Sequence, residues 1–167
     1  MNLPAIFHKS APLWPISFAR IMIGVLWLLS LRWKLPPDFT PAHGRGLMDW
    51  FLLEVQHPAF DFYGQWVEMT VIPNFLFFAW LVFLAELGTG LSLLTGTLTR
   101  LGAFIGLLMS LNLGIGLLDV PGEWPWSYMM MIMWHGVFVV TAAGRVFGMD
   151  ALLYKKLQRR NPWQWLV

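Results

Sequence analysis

The sequence predicts an all-α integral membrane protein, a four-transmembrane-helix bundle with interfacial helical segments in the outer loop and a short amphipathic C-terminal helix. Three observations carry this. Four apolar runs, 13–31, 75–94, 101–118 and 126–143, each approach the roughly 20 residues that cross hydrocarbon. Charged residues make up 12% of the chain and mean hydropathy is +0.61, whereas a soluble domain carries about 25% charged residues. Isolated polar residues sit inside the runs, where lipid leaves them unsatisfied unless neighbouring helices receive them. At 167 residues the chain suits a single membrane domain, 1–167.

The first helix is expected at about 13–34. Its run is longer than a signal-peptide core, contains Arg20 and lacks an A-x-A-like site after it, so it reads as a retained helix. The outer segment 35–74 is too long for a plain connection and too aromatic for solvated coil. Trp50, Phe51, Phe60, Phe62, Tyr63 and Trp66 alternate there with acids, which suits amphipathic pieces lying in the interface, with a short helix over 46–56. This segment is either a lid that closes the bundle or a binding surface.

The second helix, 75–95, and the third, 100–118, are joined by the short turn Thr95–Arg100 and must be antiparallel neighbours. Gly88, Ser92 and Gly96 recur every fourth residue in one, and Gly102, Gly106, Ser110 and Gly114 in the other, a pattern that lets backbones approach closely in lipid. Asp119 to Glu123 turns on Pro-Gly into the fourth helix, 125–144. The tail 149–167 resumes a basic amphipathic pattern, expected as a short helix on the inner surface.

Basic residues orient the bundle. With a cytoplasmic N-terminus the inner side holds Lys9, Arg20, Arg100, Arg145, Lys155, Lys156, Arg159 and Arg160, and the outer side only Arg32, Lys34 and Arg45. The expectation is a multi-pass protein of the cell inner membrane with both termini cytoplasmic. Its partners are the bilayer and other membrane subunits, and the acidic outer face argues against nucleic acid.

Cysteine is absent, which removes disulfides, thiol nucleophiles and cysteine-ligated iron–sulfur clusters. Bis-histidine haem needs two intramembrane histidines and only His135 lies in a run; di-iron carboxylate chemistry needs several acids and only Glu86 does. The Met129–Met133 stretch reads as soft packing, since consecutive residues point around a helix. No haem, cluster or metal is therefore expected from this chain.

The intramembrane polar residues are the candidate site. Helix rise puts Arg20, Glu86 and His135 at one level, about 10 to 12 Å deep, and Asn112 at about 16 Å. In one reading Arg20 and Glu86 form a structural ion pair that fixes register, with His135 and Asn112 taking up spare hydrogen-bond capacity. In the other, Arg20, His135 and the adjacent Trp134 hold a polar ligand head while Glu86 and His135 do proton chemistry. That residue set suits a quinone, whose carbonyl oxygens accept hydrogen bonds and whose reduction takes up protons.

Four places resemble the DoxX family of small four-helix membrane proteins, whose member DoxD is the small subunit of thiosulfate:quinone oxidoreductase. These are Arg20 to Gly24 closing on Trp33-Lys34-Leu35; Ala85-Glu86-Leu87-Gly88; the Leu94 to Arg100 turn; and Ala143-Gly144-Arg145 through Asp150. The similarity spans about 13–152. It implies a quinone-linked membrane subunit of a redox complex, with Arg100, Arg145 and Asp150 as polar structural residues. The alternative is a non-catalytic accessory subunit packed against a larger respiratory or photosynthetic assembly. Whether the chain itself turns over is left open by both.

Overall fold

The computed structural model describes residues 12–156 and Leu166, and within them the chain is helical with no strand. Lys9, Arg159 and Arg160, used above for orientation, lie outside the described residues, as does the tail beyond 156 apart from Leu166. Helix α1 (Trp14–Ser30) starts with Pro15, whose missing N–H costs nothing in a first turn, and tightens into a 3₁₀ turn at Leu31–Trp33. Helix α2 (Leu47–Gln56) opens with the Asp49 carboxylate accepting the Gly46 N–H at 2.7 Å. Helix α3 (Asp61–Trp66) runs on as a π-helical turn, Val67–Val71. The long helices α4 (Phe75–Thr95), α5 (Thr99–Leu117) and α6 (Pro125–Thr141) follow, then a 3₁₀ turn at Ala143–Arg145 and the short α7 (Asp150–Lys156).

Three segments, Trp14–Trp33, Phe75–Thr95 and Thr99–Leu117, have the length and apolar composition to cross a membrane. The fourth expected helix is shorter than its apolar run. It stops at Thr141, because Ala142 turns left-handed with φ 49° and the chain folds back on itself at Gly144. At 17 residues α6 is roughly 25 Å long.

Helix α4 packs against α1 on one side and α5 on the other, and α5 against α6. Trp27, Leu93, Ala103 and Phe138, one from each of these helices, meet in a shared core. The α1–α4 crossing depends on Gly24, where a Cβ would lie 2.6 Å from the Leu94 nitrogen. Of the predicted small-residue stripes, Gly102 lies against Ser92 as packing requires, but Gly88 faces open space and Gly90 makes the close approach instead.

Segment 35–74 folds over the end of α4 opposite the 96–99 turn. Phe39 is fully buried and meets Phe75, Trp80 and Phe83 edge-on, with ring centroids 5.5 to 6.4 Å apart. Phe51, Val67 and Val71 extend this core down to Ala79. The segment is thus a packed lid, and its underside also forms one wall of a cavity.

Candidate functional site

The three intramembrane residues placed at one depth do not form one cluster, and the expected Arg20–Glu86 pair is not made. Glu86 is taken by Lys34, whose ammonium lies 2.6 Å from Oε1, and by Ser30, whose hydroxyl donates to Oε2 at 2.9 Å. Lys34 is itself buried and rests 4.2 Å from the Trp33 ring centroid. Arg20 turns the other way. Its guanidinium donates to the carbonyls of Leu93 and Leu94, which end α4 without intrahelical partners, and to Phe147 at 2.9 Å. Equal rise gives equal height for two Cα atoms but says nothing of azimuth, and a long arginine side chain moves its charge several ångströms along the helix.

His135 is fully buried with both nitrogens engaged. The Trp27 indole donates to Nε2 at 2.9 Å, and Nδ1 lies 2.6 Å from the Met131 carbonyl, which defines the neutral Nδ1–H tautomer. Gly106 packs on the ring, where a Cβ would lie 2.3 Å from Cδ2. Trp134 stacks on Phe138, with centroids 5.7 Å apart. Neither residue lines the cavity described below.

The turn end of the bundle is latched by Asp150. Its two carboxylate oxygens accept the N–H groups of Leu98 at 2.7 Å and Thr99 at 2.8 Å, capping α5 from another part of the chain. Its own N–H donates to the Gly96 carbonyl at 2.8 Å. Arg100 donates to the Val140 carbonyl at 3.3 Å, and Arg145 lies 3.9 Å from the Tyr154 ring centroid.

The concave polar site is elsewhere. A cavity of about 250 Å³ lies between the lid and the α4–α5 pair. Its polar end holds Glu54 from α2, Tyr63 from α3 and Asn112 from α5, with the Tyr63 hydroxyl 3.1 Å from Asn112 Oδ1 and 3.5 Å from Glu54 Oε2. Its apolar end holds Leu81 of α4 and Leu108 of α5, each about half exposed on the bundle's outer surface, with Trp66 beside them. Glu54 is 3% exposed and its carboxylate lies flat on α5 at Gly116, where a Cβ would come within 2.7 Å of Cδ. Burial pushes the Glu54 carboxyl up to about 8, against a smaller lowering by the Tyr63 hydrogen bond. Burial, and then the Glu54 charge, push the Tyr63 phenol up. At neutral pH the site therefore presents two O–H donors and an amide without formal charge.

Asn112 is the one expected polar residue that lines this cavity; Glu54 and Tyr63 are absent from the sequence-based candidates. A signal for Glu54 was present, because Leu47, Phe51 and Glu54 follow the i, i+4, i+7 spacing of one helix face, which puts a carboxylate on an apolar stripe. Tyr63 carries no comparable signal, since its partners come from two other helices.

The family model of DoxD, described as the TQO small subunit, matches residues 16–167. No curated protein and no solved structure matches the chain. The matched stretch contains both the latch and the buried Lys34–Glu86 pair. This chain belongs to the DoxD family.

Proposed function

We propose that this protein is the membrane-embedded, quinone-linked subunit of a redox complex of the thiosulfate:quinone oxidoreductase type, and that the quinone head occupies the cavity between the lid and α4–α5. One observation carries the reading. The cavity joins a buried, uncharged polar end at Glu54, Tyr63 and Asn112 to an apolar mouth at Leu81 and Leu108 on the face turned toward lipid. A ligand with hydrogen-bond-accepting oxygens at one end and a hydrocarbon tail at the other matches both ends. The volume lies below the range of about 300–1,000 Å³ for pockets that enclose a whole drug-sized ligand, so it suits one ring with the tail left in the bilayer.

In this reading α6 is the fourth span, at the short end of the usual 17 to 25 residues. The Arg100, Arg145 and α7 end faces the cytoplasm of a cell inner membrane. Arg20, Glu86 and His135 serve the scaffold, since each is closed off by protein partners.

The test is photolabelling with an azido-quinone in native-lipid nanodiscs. Label is expected on peptides containing Leu81, Leu108 or Tyr63, and Leu108→Trp should abolish it by filling the mouth. Label confined to other peptides, or unchanged in Leu108→Trp, would remove the cavity from the reading.

A further inference from the structure

We infer that Glu54 is the proton-exchanging acid of the quinone site, and that it exchanges with the aqueous phase at the 119–123 turn, opposite the Asp150 latch. The inference rests on the quinone reading above and adds the identity and direction of the proton path.

Four observations place Glu54 in this role. It lines the cavity, so its carboxyl group is open to a ligand there. Its hydrogen bonding to protein is thin, with the hydroxyl of Tyr63 no closer than 3.5 Å, which leaves capacity for a ligand oxygen. Structural acids in this chain look different: Glu86 has two close partners and Asp150 accepts two backbone N–H groups. Finally, α2 packs on both sides of this path, with Phe51 and Glu54 lining the cavity and Trp50 and Leu53 against the cluster that holds Tyr128 of α6. That cluster is Leu117, Val120 and Tyr128, and the Glu54 carboxyl lies on Gly116, the residue before Leu117. The Tyr128 hydroxyl donates to Glu123, a partly exposed acid in the turn.

The ionisable group bonded to Glu54 is Tyr63 from α3 on the cavity side, and on the outer side the neighbouring cluster holds Tyr128 of α6, bonded to Glu123 of the 119–123 turn. The cavity walls from α4 are the apolar Phe78, Leu81 and Val82. No cation competes for the carboxylate within this set, so burial keeps the proton on Glu54 until the ring draws it away.

The step balances as follows. The ring gains two electrons, one from each of two thiosulfate-type sulfur anions, which are oxidised together as an S–S bond forms between them. As it does, the Glu54 O–H bond breaks and a bond forms between that proton and a ring carbonyl oxygen. Glu54 regains a proton from the side of Tyr128 and Glu123, and the second carbonyl oxygen takes the second proton after that recharge. The products are the hydroquinone and the oxidised donor.

Infrared difference spectroscopy on the full chain in nanodiscs, with a short-chain benzoquinone reduced at an electrode, reads this directly and needs no partner subunit. The wild type should lose a protonated-carboxyl band on reduction and regain it, and Glu54→Gln should lack that band. Gln is isosteric with the protonated acid, so quinone affinity should stay within about twofold while hydroquinone formation slows by at least tenfold, as loss of a general acid implies. Glu123→Gln should keep the band but delay its recovery several-fold. Quinone bound with the same carboxyl signal in wild type and Glu54→Gln would overturn the proton assignment alone. No quinone bound to the wild type would overturn both this inference and the functional reading.

Discussion

The ammonium of Lys34 lies 2.6 Å from Oε1 of Glu86, and both side chains are at least 95% buried. The pair ties the exit of α1 to the middle of α4, with Ser30 completing the carboxylate's bonding. A buried pair of this kind contributes less by its presence than is lost when one partner is removed.

Lys34→Met or Glu86→Leu alone should thus cost about 3 to 5 kcal/mol, and the double variant should recover most of it. Unfolding in detergent, run as a double-mutant cycle, measures this. Arg20→Met combined with Glu86→Leu should be additive within about 0.5 kcal/mol, since the two share no contact. Strong Arg20–Glu86 coupling would contradict the observed pairing.

Asp150→Ala removes the acceptor of two backbone N–H groups and leaves Leu98 in its left-handed conformation, φ 49°, without support. A loss of about 2 to 4 kcal/mol is expected, from a cap and a charged hydrogen bond together. Hydrogen exchange should rise first in the opening turn of α5. Protection there equal to wild type would count against the latch.

Stability should fall with pH through Glu54. Its folded-state value of about 8 exceeds the ordinary 4.5, so its contribution is fully present below about pH 4.5 and is lost as pH rises through about 8. Within that window each pH unit costs about 1.4 kcal/mol. Melting temperatures taken at pH 5, 7 and 9 should decline in the wild type and flatten in Glu54→Gln; equal slopes would show that another group is responsible.

Gly116→Ala brings a methyl group to within 2.7 Å of the Glu54 carboxyl carbon, so the carboxyl group, which lines the cavity, must shift. Overpacking should cost about 1 to 3 kcal/mol and weaken quinone binding together. A binding titration in nanodiscs decides it. Unchanged affinity would mean that Glu54 does not face the ligand.

The chain has no cysteine, so single cysteines at Asp61 and Lys156 can be tested on a clean background. In intact cells an impermeant thiol reagent should label position 61 and spare position 156. The reverse pattern would invert the orientation drawn from the basic residues.

The amino-acid order alone carries the helical membrane character, the limits of α4 and α5 to within a residue or so, and the family. These follow from local quantities: run length, hydropathy and the order of a few fixed residues. It also singled out Arg20, Glu86 and His135 as buried, because a polar group in an apolar run has few alternatives. Which residues meet is set by how the helices pack. Rise along a helix gives height, whereas pairing depends on azimuth and side-chain reach, so Glu86 went to Lys34 and Arg20 to the end of α4. The cavity was further from view, for Glu54, Tyr63 and Asn112 come from three helices separated by up to 58 positions, and their meeting depends on how the lid docks on α4 and α5. A site assembled across elements has no spacing of its own in a single chain.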